Sequence, residues 1–243
     1  LHPVAITTAV MAERVQAWTG APQSIYSDHF MHTQPVDGRI AFKLEVAPLH
    51  PVFFGANLPG FGESQAALFR QYPNANVTLA LMRDGFHPQS VGGKVELRSD
   101  GSPLLDYPLT DYVLEGARRA MLAMAQIQFE AGARMVYPGH ELARGTSTWA
   151  ETKAAIEALP MKPLLTRIGS AHVMGGCGMA ADEKAGVTRP DGQHWQLENL
   201  SIHDGSIFPT SIGANPQLSI YGTVNRLAQG LAKRLTSKEV ALA

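Results

Sequence analysis

The sequence predicts an α/β fold in which an antiparallel sheet with helices on one face is followed by one further strand and a last helix. Short runs of alternating apolar and polar residues, bounded by Gly, Pro, Asn or Asp, predict the antiparallel strands. Apolar residues at helical spacing after Thr110 predict a long amphipathic helix that ends at Gly132. Towards the end of the sequence, a strand over residues 197–204 precedes a helix that Asn215 and Pro216 open.

The first half of the chain is predicted to begin with a helix over residues 4–17, which Gly20-Ala21-Pro22 stops. The alternating runs that predict strands cover residues 24–31, 40–47, 77–83 and 94–98. The segment 48–76 is long for a connection and rich in Gly, Pro, Phe and Leu. We therefore expect it to be a helix-bearing cover, or lid, over a pocket.

The second half is predicted to alternate between helices and short strands. Thr110 caps the long helix, whose apolar stripe is Val113, Ala117, Met121, Met124, Ile127 and Ala131. A short strand over residues 134–137 and a helix over residues 148–159 follow. Asn215 is the predicted N-cap of the last helix, with Pro216 at its first position. The predicted apolar face of that helix is Leu218, Tyr221, Val224, Ala228, Leu231 and Leu235.

Composition narrows the classes of function. The 243 residues are 45% hydrophobic, and 20 basic and 21 acidic residues give a net charge of −1. This balance offers no electrostatic reason to expect nucleic acid or an anionic membrane as a partner, so the expected substrate is an uncharged small molecule. A single cysteine excludes an internal disulfide and a Cys-rich zinc site. No apolar run approaches the ~20 residues that a membrane-spanning helix needs.

His172 and Asn215 are the predicted catalytic residues. An imidazole takes up or releases a proton near neutral pH, and a side-chain amide donates and accepts hydrogen bonds, so the pair suits chemistry on a hydroxyl group. Taken alone, His172 would more often be a structural or surface histidine, and Asn215 a helix cap. Their sequence context decides between these interpretations.

That context resembles the C-terminal signature of the glucose-methanol-choline (GMC) flavin oxidoreductases. The signature is His-x-x-Gly-Gly-Cys from His172 to Cys177, then Asn-Leu-Ser-Ile-His-Asp-Gly-Ser over residues 199–206, then Asn215-Pro216 and a helix. Upstream, the run over residues 1–5 and the Trp18-Thr19-Gly20 and Ser-Asp-His-Phe motifs are similar to the long-chain-alcohol branch. Gly178 and Ala180 depart from that branch, which usually has Arg and Gly there.

The resemblance implies FAD-dependent oxidation of an alcohol to an aldehyde or ketone. It implies that His172 removes the hydroxyl proton while hydride passes to flavin N5, and that Asn215 is the second site residue. The residues that it implies for cofactor binding are Asp204, Gly205, Ser206, Asn215, Pro216 and Gln217. It divides the chain into a connecting segment from the FAD domain (1–20), a substrate-binding domain (21–167) and the C-terminal part of a Rossmann-like FAD domain (168–243).

The sequence has no Gly-x-Gly-x-x-Gly turn of the kind that binds a dinucleotide pyrophosphate. The resemblance thus covers only about the C-terminal half of the family, and the expected partner is an N-terminal FAD-binding half, in the same polypeptide or in a partner chain. The alternative is a non-catalytic fragment or assembly module that needs such a partner. A third possibility, a Cys- or His-dependent hydrolase, lacks a paired nucleophile and base.

The remaining reactive side chains are predicted to be structural. Cys177 has no cationic neighbour in the sequence that would lower its pKa, so packing is the favoured interpretation. His29 and His32 point to opposite faces of a predicted strand, so they are not expected to bind one metal ion together. No metal site is predicted.

Overall fold

A five-stranded antiparallel sheet forms the centre of the computed structural model, which describes residues 1–21 and 23–237. Pro22 and residues 238–243, the end of the predicted C-terminal domain, lie outside the described residues. The strands are β1 (Val4–Met11), β2 (Tyr26–Ser27), β3 (Phe42–Val46), β4 (Ala75–Met82), β5 (Lys94–Leu97), β6 (Pro103–Asp106) and β7 (Ala133–Pro138). The helices are α1 (Pro51–Asn57), α2 (Gly62–Phe69), α3 (Asp111–Glu130), α4 (Trp149–Ala158) and α5 (Gln217–Thr236). The mixed α/β fold with an antiparallel sheet is confirmed.

β1 is an inner strand of the sheet, which has the order β2-β3-β4-β1-β7, so the helix predicted over residues 4–17 is wrong. The strand pairs with β4 on one side and with β7 on the other. A short apolar run fits a buried strand as well as a helix, and the β-branched Val, Ile and Thr residues of this run favour the strand. Burial on both faces removed the polar alternation by which a strand is recognised.

Helix α3 packs across one face of the sheet. As predicted, Thr110 caps it, accepting a hydrogen bond from the Val113 N–H at 3.4 Å. Val113, Ala117, Met121 and Met124 are all buried against the strands, whereas Ile127 at the end of the predicted stripe is 46% exposed. Because side chains alternate along a strand, the residues of β1, β3 and β4 that do not face α3 line the opposite face.

The segment 48–76 bears helices α1 and α2, as predicted. Phe54 of α1 is buried beside Val77 of β4, so the segment is packed onto the sheet through its own small core. Strands β5 and β6 form a separate two-stranded sheet whose residues are all exposed. The sequence did not predict β6, which begins at Pro103, a residue found mainly at the edges of sheets.

The last third of the chain has little regular structure before α5. The strand predicted over residues 197–204 is wrong, because Ser201 makes only an isolated bridge to Gln193. No described strand lies beside this segment to complete a ladder. Helix α5 begins at Gln217, after Pro216 as its N-cap, and not at Asn215. Leu227 is its buried residue, whereas Leu218, Tyr221 and Leu235 of the predicted apolar face are exposed.

Candidate active site

A cavity of about 750 Å³ lies against the sheet face opposite α3, and we call it the histidine cavity. Its lining includes four apolar residues of β1 and β4, namely Val4, Ile6, Leu79 and Leu81. Helix α1 adds Phe53, Ala56 and Asn57. The ionisable side chains on the lining are Glu45, Glu141, Arg167 and His172, and Glu141 accepts a 2.7 Å hydrogen bond from Arg167 Nε. His172 and Glu45 therefore bring the reactive groups to an otherwise mainly apolar space.

Residues 169–172 position His172, because they pair with the start of β1 on the same side as β7. The Val4 N–H donates to the Gly169 carbonyl at 2.8 Å, and the His2 N–H donates to the His172 carbonyl at 3.3 Å. These bonds bring the two imidazoles edge to face, with ring centroids 5.4 Å apart and planes at 81°. Their Nδ1 atoms are 3.2 Å apart. The candidate base is thus held by a second histidine, 170 residues away in the sequence.

Asn215 is fixed by two charged residues of β3. Lys43 Nζ donates to Asn215 Oδ1 at 2.6 Å, and Asn215 Nδ2 donates to both carboxylate oxygens of Glu45 at 3.1 Å. Gln23 Nε2 donates a further hydrogen bond to Glu45 Oε1 at 3.1 Å. The Asn215 side chain therefore makes tertiary contacts in place of the predicted helix cap, and it is absent from the cavity lining, which its partner Glu45 reaches.

Burial shapes the proton affinity of both imidazoles. It lowers the pKa of His172, with Lys43 adding to this effect and Glu45 opposing it. Burial also lowers the pKa of His2 to about 3, and the neighbouring His172 contributes in the same direction. Both rings are consequently neutral near pH 7.

A second cavity, of about 760 Å³, is lined by backbone from several loops, and we call it the glycine cavity. Its glycines are Gly85, Gly92, Gly93, Gly175, Gly176 and Gly205. The predicted cofactor residues Asp204, Gly205 and Ser206 line it, whereas Asn215, Pro216 and Gln217 do not. Pro216 is buried at the start of α5, and Gln217 Nε2 donates to the Tyr221 hydroxyl at 2.7 Å.

The glycine cavity suits a flat, uncharged portion of a cofactor better than an anionic one. Gly175 and Gly176 have φ values of +84° and +101°, which residues with a Cβ rarely adopt, and their open backbone lets a ring approach closely. The Asp and Lys side chains on the lining are Asp84, Asp106, Asp204 and Lys94, so acidic side chains outnumber basic ones. This balance would repel a pyrophosphate. The described residues therefore fit the flavin end of FAD, where Asp204–Ser206 would hold it.

Asp84 is the most strongly held of these carboxylates. Only 5% exposed, it accepts short hydrogen bonds from the hydroxyls of Ser90 and Tyr107. Burial raises the pKa of Tyr107, and the hydrogen bond to Asp84 adds to the increase. Tyr107 remains a neutral donor, which stabilises the carboxylate inside the protein.

Comparison with known proteins identifies the family of the chain. The GMC oxidoreductase family model matches residues 88–223, which is more than half of the chain. The chain belongs to the GMC oxidoreductase family. GMC oxidoreductases are flavoproteins that use FAD, so the family recognition and the cofactor prediction are confirmed.

Two curated relatives match 73% and 96% of this chain but are much longer than it. A long-chain-alcohol oxidase of Arabidopsis thaliana is 27% identical over 186 residues, which are 73% of this chain and 24% of that protein. A second long-chain-alcohol oxidase of the same plant is 25% identical over 254 residues, covering 96% of this chain and 32% of that protein. The chain thus spans about a quarter to a third of the length of these relatives.

Solved structures show the same fold. A formate oxidase from Aspergillus oryzae superposes on 97% of this chain with a TM-score of 0.63 and 13% sequence identity, and the match covers 46% of that protein. At this identity the likeness establishes the fold alone. In the part of the chain that the structure describes, no group of His, Cys, Asp and Glu side chains is arranged to hold a metal ion. Among the same residues, no helix is long and apolar enough to cross a membrane.

Sequence reasoning missed three residues of the site: His2, Lys43 and Glu45. Lys43 and Glu45 alternate with the buried Phe42 and Leu44, so they share the strand face that lines the histidine cavity. The signal available in the sequence was this pair of opposite charges two positions apart within an apolar strand. His2 lies in the run over residues 1–5 that resembles the long-chain-alcohol branch, but its contact with His172 had no local signal, because the path of the chain sets it. Cys177 is half-buried and lines neither cavity, in agreement with a packing role.

Proposed function

We propose that this chain carries the substrate site and the flavin-facing part of an FAD-dependent enzyme that oxidises an uncharged, apolar alcohol to an aldehyde or ketone. One observation carries the proposal: the segment from His172 to Gly176 contributes to both cavities. His172 lines the apolar cavity, and the residues that follow it line the cavity that fits flavin. A hydroxyl beside His172 would therefore lie near the wall that separates substrate from cofactor.

The apolar lining favours the hydrocarbon part of such a substrate. Val4, Ile6, Leu79 and Leu81 form a continuous apolar surface on neighbouring strands, and Phe53 of α1 lies on the same lining. Burying an alkyl chain there contributes about 0.8 kcal/mol per methylene group. Two relatives are named long-chain-alcohol oxidases, which fits this surface.

Bound FAD would supply the oxidant that accepts hydride from the carbinol carbon. In this chain, His172 acts on the hydroxyl group. It would be a proton acceptor at Nε2 if its resting proton lies on Nδ1, and a hydrogen-bond donor if that proton lies on Nε2. Asn215 orients Glu45 from behind the lining, and Asp204, Gly205 and Ser206 hold the cofactor in the glycine cavity.

The alternative, a module that is inactive without a partner carrying the dinucleotide-binding turn, rests on the acidic lining of the glycine cavity. Asp84, Asp106 and Asp204 leave no favourable place there for the pyrophosphate of FAD. Both candidates predict a need for the N-terminal half of the family. They differ in whether the joined protein reacts with alcohols.

Anaerobic mixing of the FAD-loaded protein with a long-chain primary alcohol tests the proposal. We expect the visible absorbance of the flavin to bleach, with one aldehyde formed per flavin. The matched control is His172→Ala, which should retain the flavin spectrum but bleach far more slowly. An FAD-loaded protein that no alcohol reduces would favour the non-catalytic module.

A further inference from the structure

The two imidazoles of His2 and His172 form a hydrogen-bonded pair whose proton positions follow from the backbone around them. His2 is fully buried, and the N–H of Gly213 points at its Nε2 with a separation of 3.0 Å. Its Nδ1 lies 3.2 Å from Nδ1 of His172. Each ring nitrogen of His2 therefore has one partner, and one of these partners is a backbone amide.

A backbone amide can only donate, so Nε2 of His2 must present its lone pair to Gly213. A neutral imidazole has one N–H, which leaves the proton of His2 on Nδ1. That N–H then donates to Nδ1 of His172, which must accept with its own lone pair. The single proton of a neutral His172 is consequently on Nε2.

Protonating His2 would destroy this arrangement. An imidazolium has two N–H groups, and the second would point at the N–H of Gly213 in a buried position. The lowered pKa of His2, about 3, agrees with this geometric argument. The pair is therefore fixed in one tautomeric state over the pH range in which the protein is folded and His2 is neutral.

We propose that His2 is a positioning residue that holds His172 in its Nε2–H form, so that His172 donates a hydrogen bond to the oxygen of the bound substrate. The nature of that substrate rests on the proposed function, whereas the proton positions do not. In this form His172 stabilises negative charge on the oxygen and is not the group that receives the hydroxyl proton. That proton would pass to another acceptor on the lining, where Glu45 offers a carboxylate.

Long-range proton–nitrogen correlation NMR of the protein labelled with ¹⁵N-histidine tests the inference, because it separates protonated ring nitrogens from those with a lone pair. We expect His2 as the Nδ1–H tautomer and His172 as the Nε2–H tautomer. The signals are assigned by their loss in His2→Leu and in His172→Gln. His140 is an internal reference, since its Nδ1 accepts from the Leu142 N–H at 3.1 Å and its Nε2 lies 3.0 Å from the Pro160 carbonyl, which fixes it as Nε2–H.

Two variants distinguish a His2 that fixes the proton position of His172 from a His2 that only packs against it. His2→Asn keeps an N–H donor at the place of Nδ1, so His172 should remain in the Nε2–H form. His2→Leu removes that donor, and His172 should become a mixture of both tautomers while His140 is unchanged. If His2→Leu does not fold, the spectrum of the unmodified protein and that of His2→Asn still decide the question.

The results also separate this inference from the proposed function. A His172 that carries its proton on Nδ1 in the unmodified protein would overturn the inference, whatever the protein oxidises. The expected tautomers in a protein that oxidises no alcohol would leave the pairing of His2 and His172 established and reject the function. A single Nε2–H tautomer of His172 that persists in His2→Leu would show that His2 does not set it.

Discussion

The histidine cavity and the glycine cavity have similar volumes, about 750 and 760 Å³, but are built in opposite ways. The first has one wall of alternate side chains from β1, β3 and β4, closed by the irregular segment 164–172. The second combines six glycines of the loops with residues of the exposed strands β5 and β6 and with three aspartates. On the proposed function, this difference means that the substrate site is formed largely by residues of this chain, whereas the cofactor site also needs residues outside it.

The largest expected effect that follows from the difference between the two cavities concerns the binding of FAD. We expect the 243-residue chain alone to bind FAD weakly, and the same chain joined to a domain with the dinucleotide-binding turn to hold it stoichiometrically. The adenosine and pyrophosphate contacts depend on backbone N–H groups of a Gly-rich turn, which this sequence lacks. Equilibrium dialysis of FAD against both proteins measures the difference. Tight binding by the chain alone would show that the glycine cavity suffices.

The next effect concerns the reactive group of the histidine cavity. His172→Ala in the FAD-loaded protein should slow alcohol oxidation by roughly two to four powers of ten, the range for loss of a positioned acid, base or oxygen-stabilising donor. The flavin spectrum should stay the same, because His172 does not line the glycine cavity. Stopped-flow reduction measures the rate. Near-normal turnover would remove His172 from the reaction.

A smaller effect is expected in the dependence of stability on pH. His2 has its pKa lowered from 6.5 to about 3 in the folded protein, by burial and by His172 and the amino group of Leu1. Between these values the unfolded chain binds more protons than the folded one, so stability is fully present above about pH 6.5 and is lost as the pH falls towards 3. From pH 6.5 to 5 the loss due to His2 should be about 1 to 2 kcal/mol.

Urea unfolding of the unmodified protein and of His2→Asn at both pH values isolates this contribution. His2→Asn has no titratable group at the position, so its stability should fall by about 1 to 2 kcal/mol less than that of the unmodified protein. Carboxylates and the other histidines titrate in both proteins and cancel in the difference. Equal losses would mean that His2 is protonated at ordinary pKa in the folded protein.

The sequence predicted local features of the fold better than the long-range contacts that build the candidate site. The strands around residues 40–47 and 77–83 and the cap at Thr110 were predicted, because alternation, helical spacing and capping are local signals. The failures came from long-range contacts. Residues 4–11 of the predicted helix lack alternation because β1 is buried on both faces of the sheet, and residues 197–204 have no described neighbour with which to form a ladder. Asn215 was predicted as a cap because its contact with Glu45, 170 residues away, has no local signature.

The smallest effect concerns the cover over the histidine cavity and is measured through substrate length. Phe53 of α1 lines the cavity, whereas Phe61 is 88% exposed and lies outside the lining, so the two phenylalanines form a matched pair on one segment. Phe53→Ala removes apolar surface that would contact an alkyl chain. We expect it to raise the KM of a long-chain alcohol about tenfold, equivalent to ~1.4 kcal/mol, and that of a short alcohol by less than about twofold. Phe61→Ala should change neither value, because its side chain already faces water.

Steady-state assays of both variants with a short and a long primary alcohol decide the matter. Equal changes for the two alcohols in Phe53→Ala would mean that the 48–76 segment supports the fold without contacting the substrate chain, and the apolar surface of β1 and β4 would then account for any preference for length.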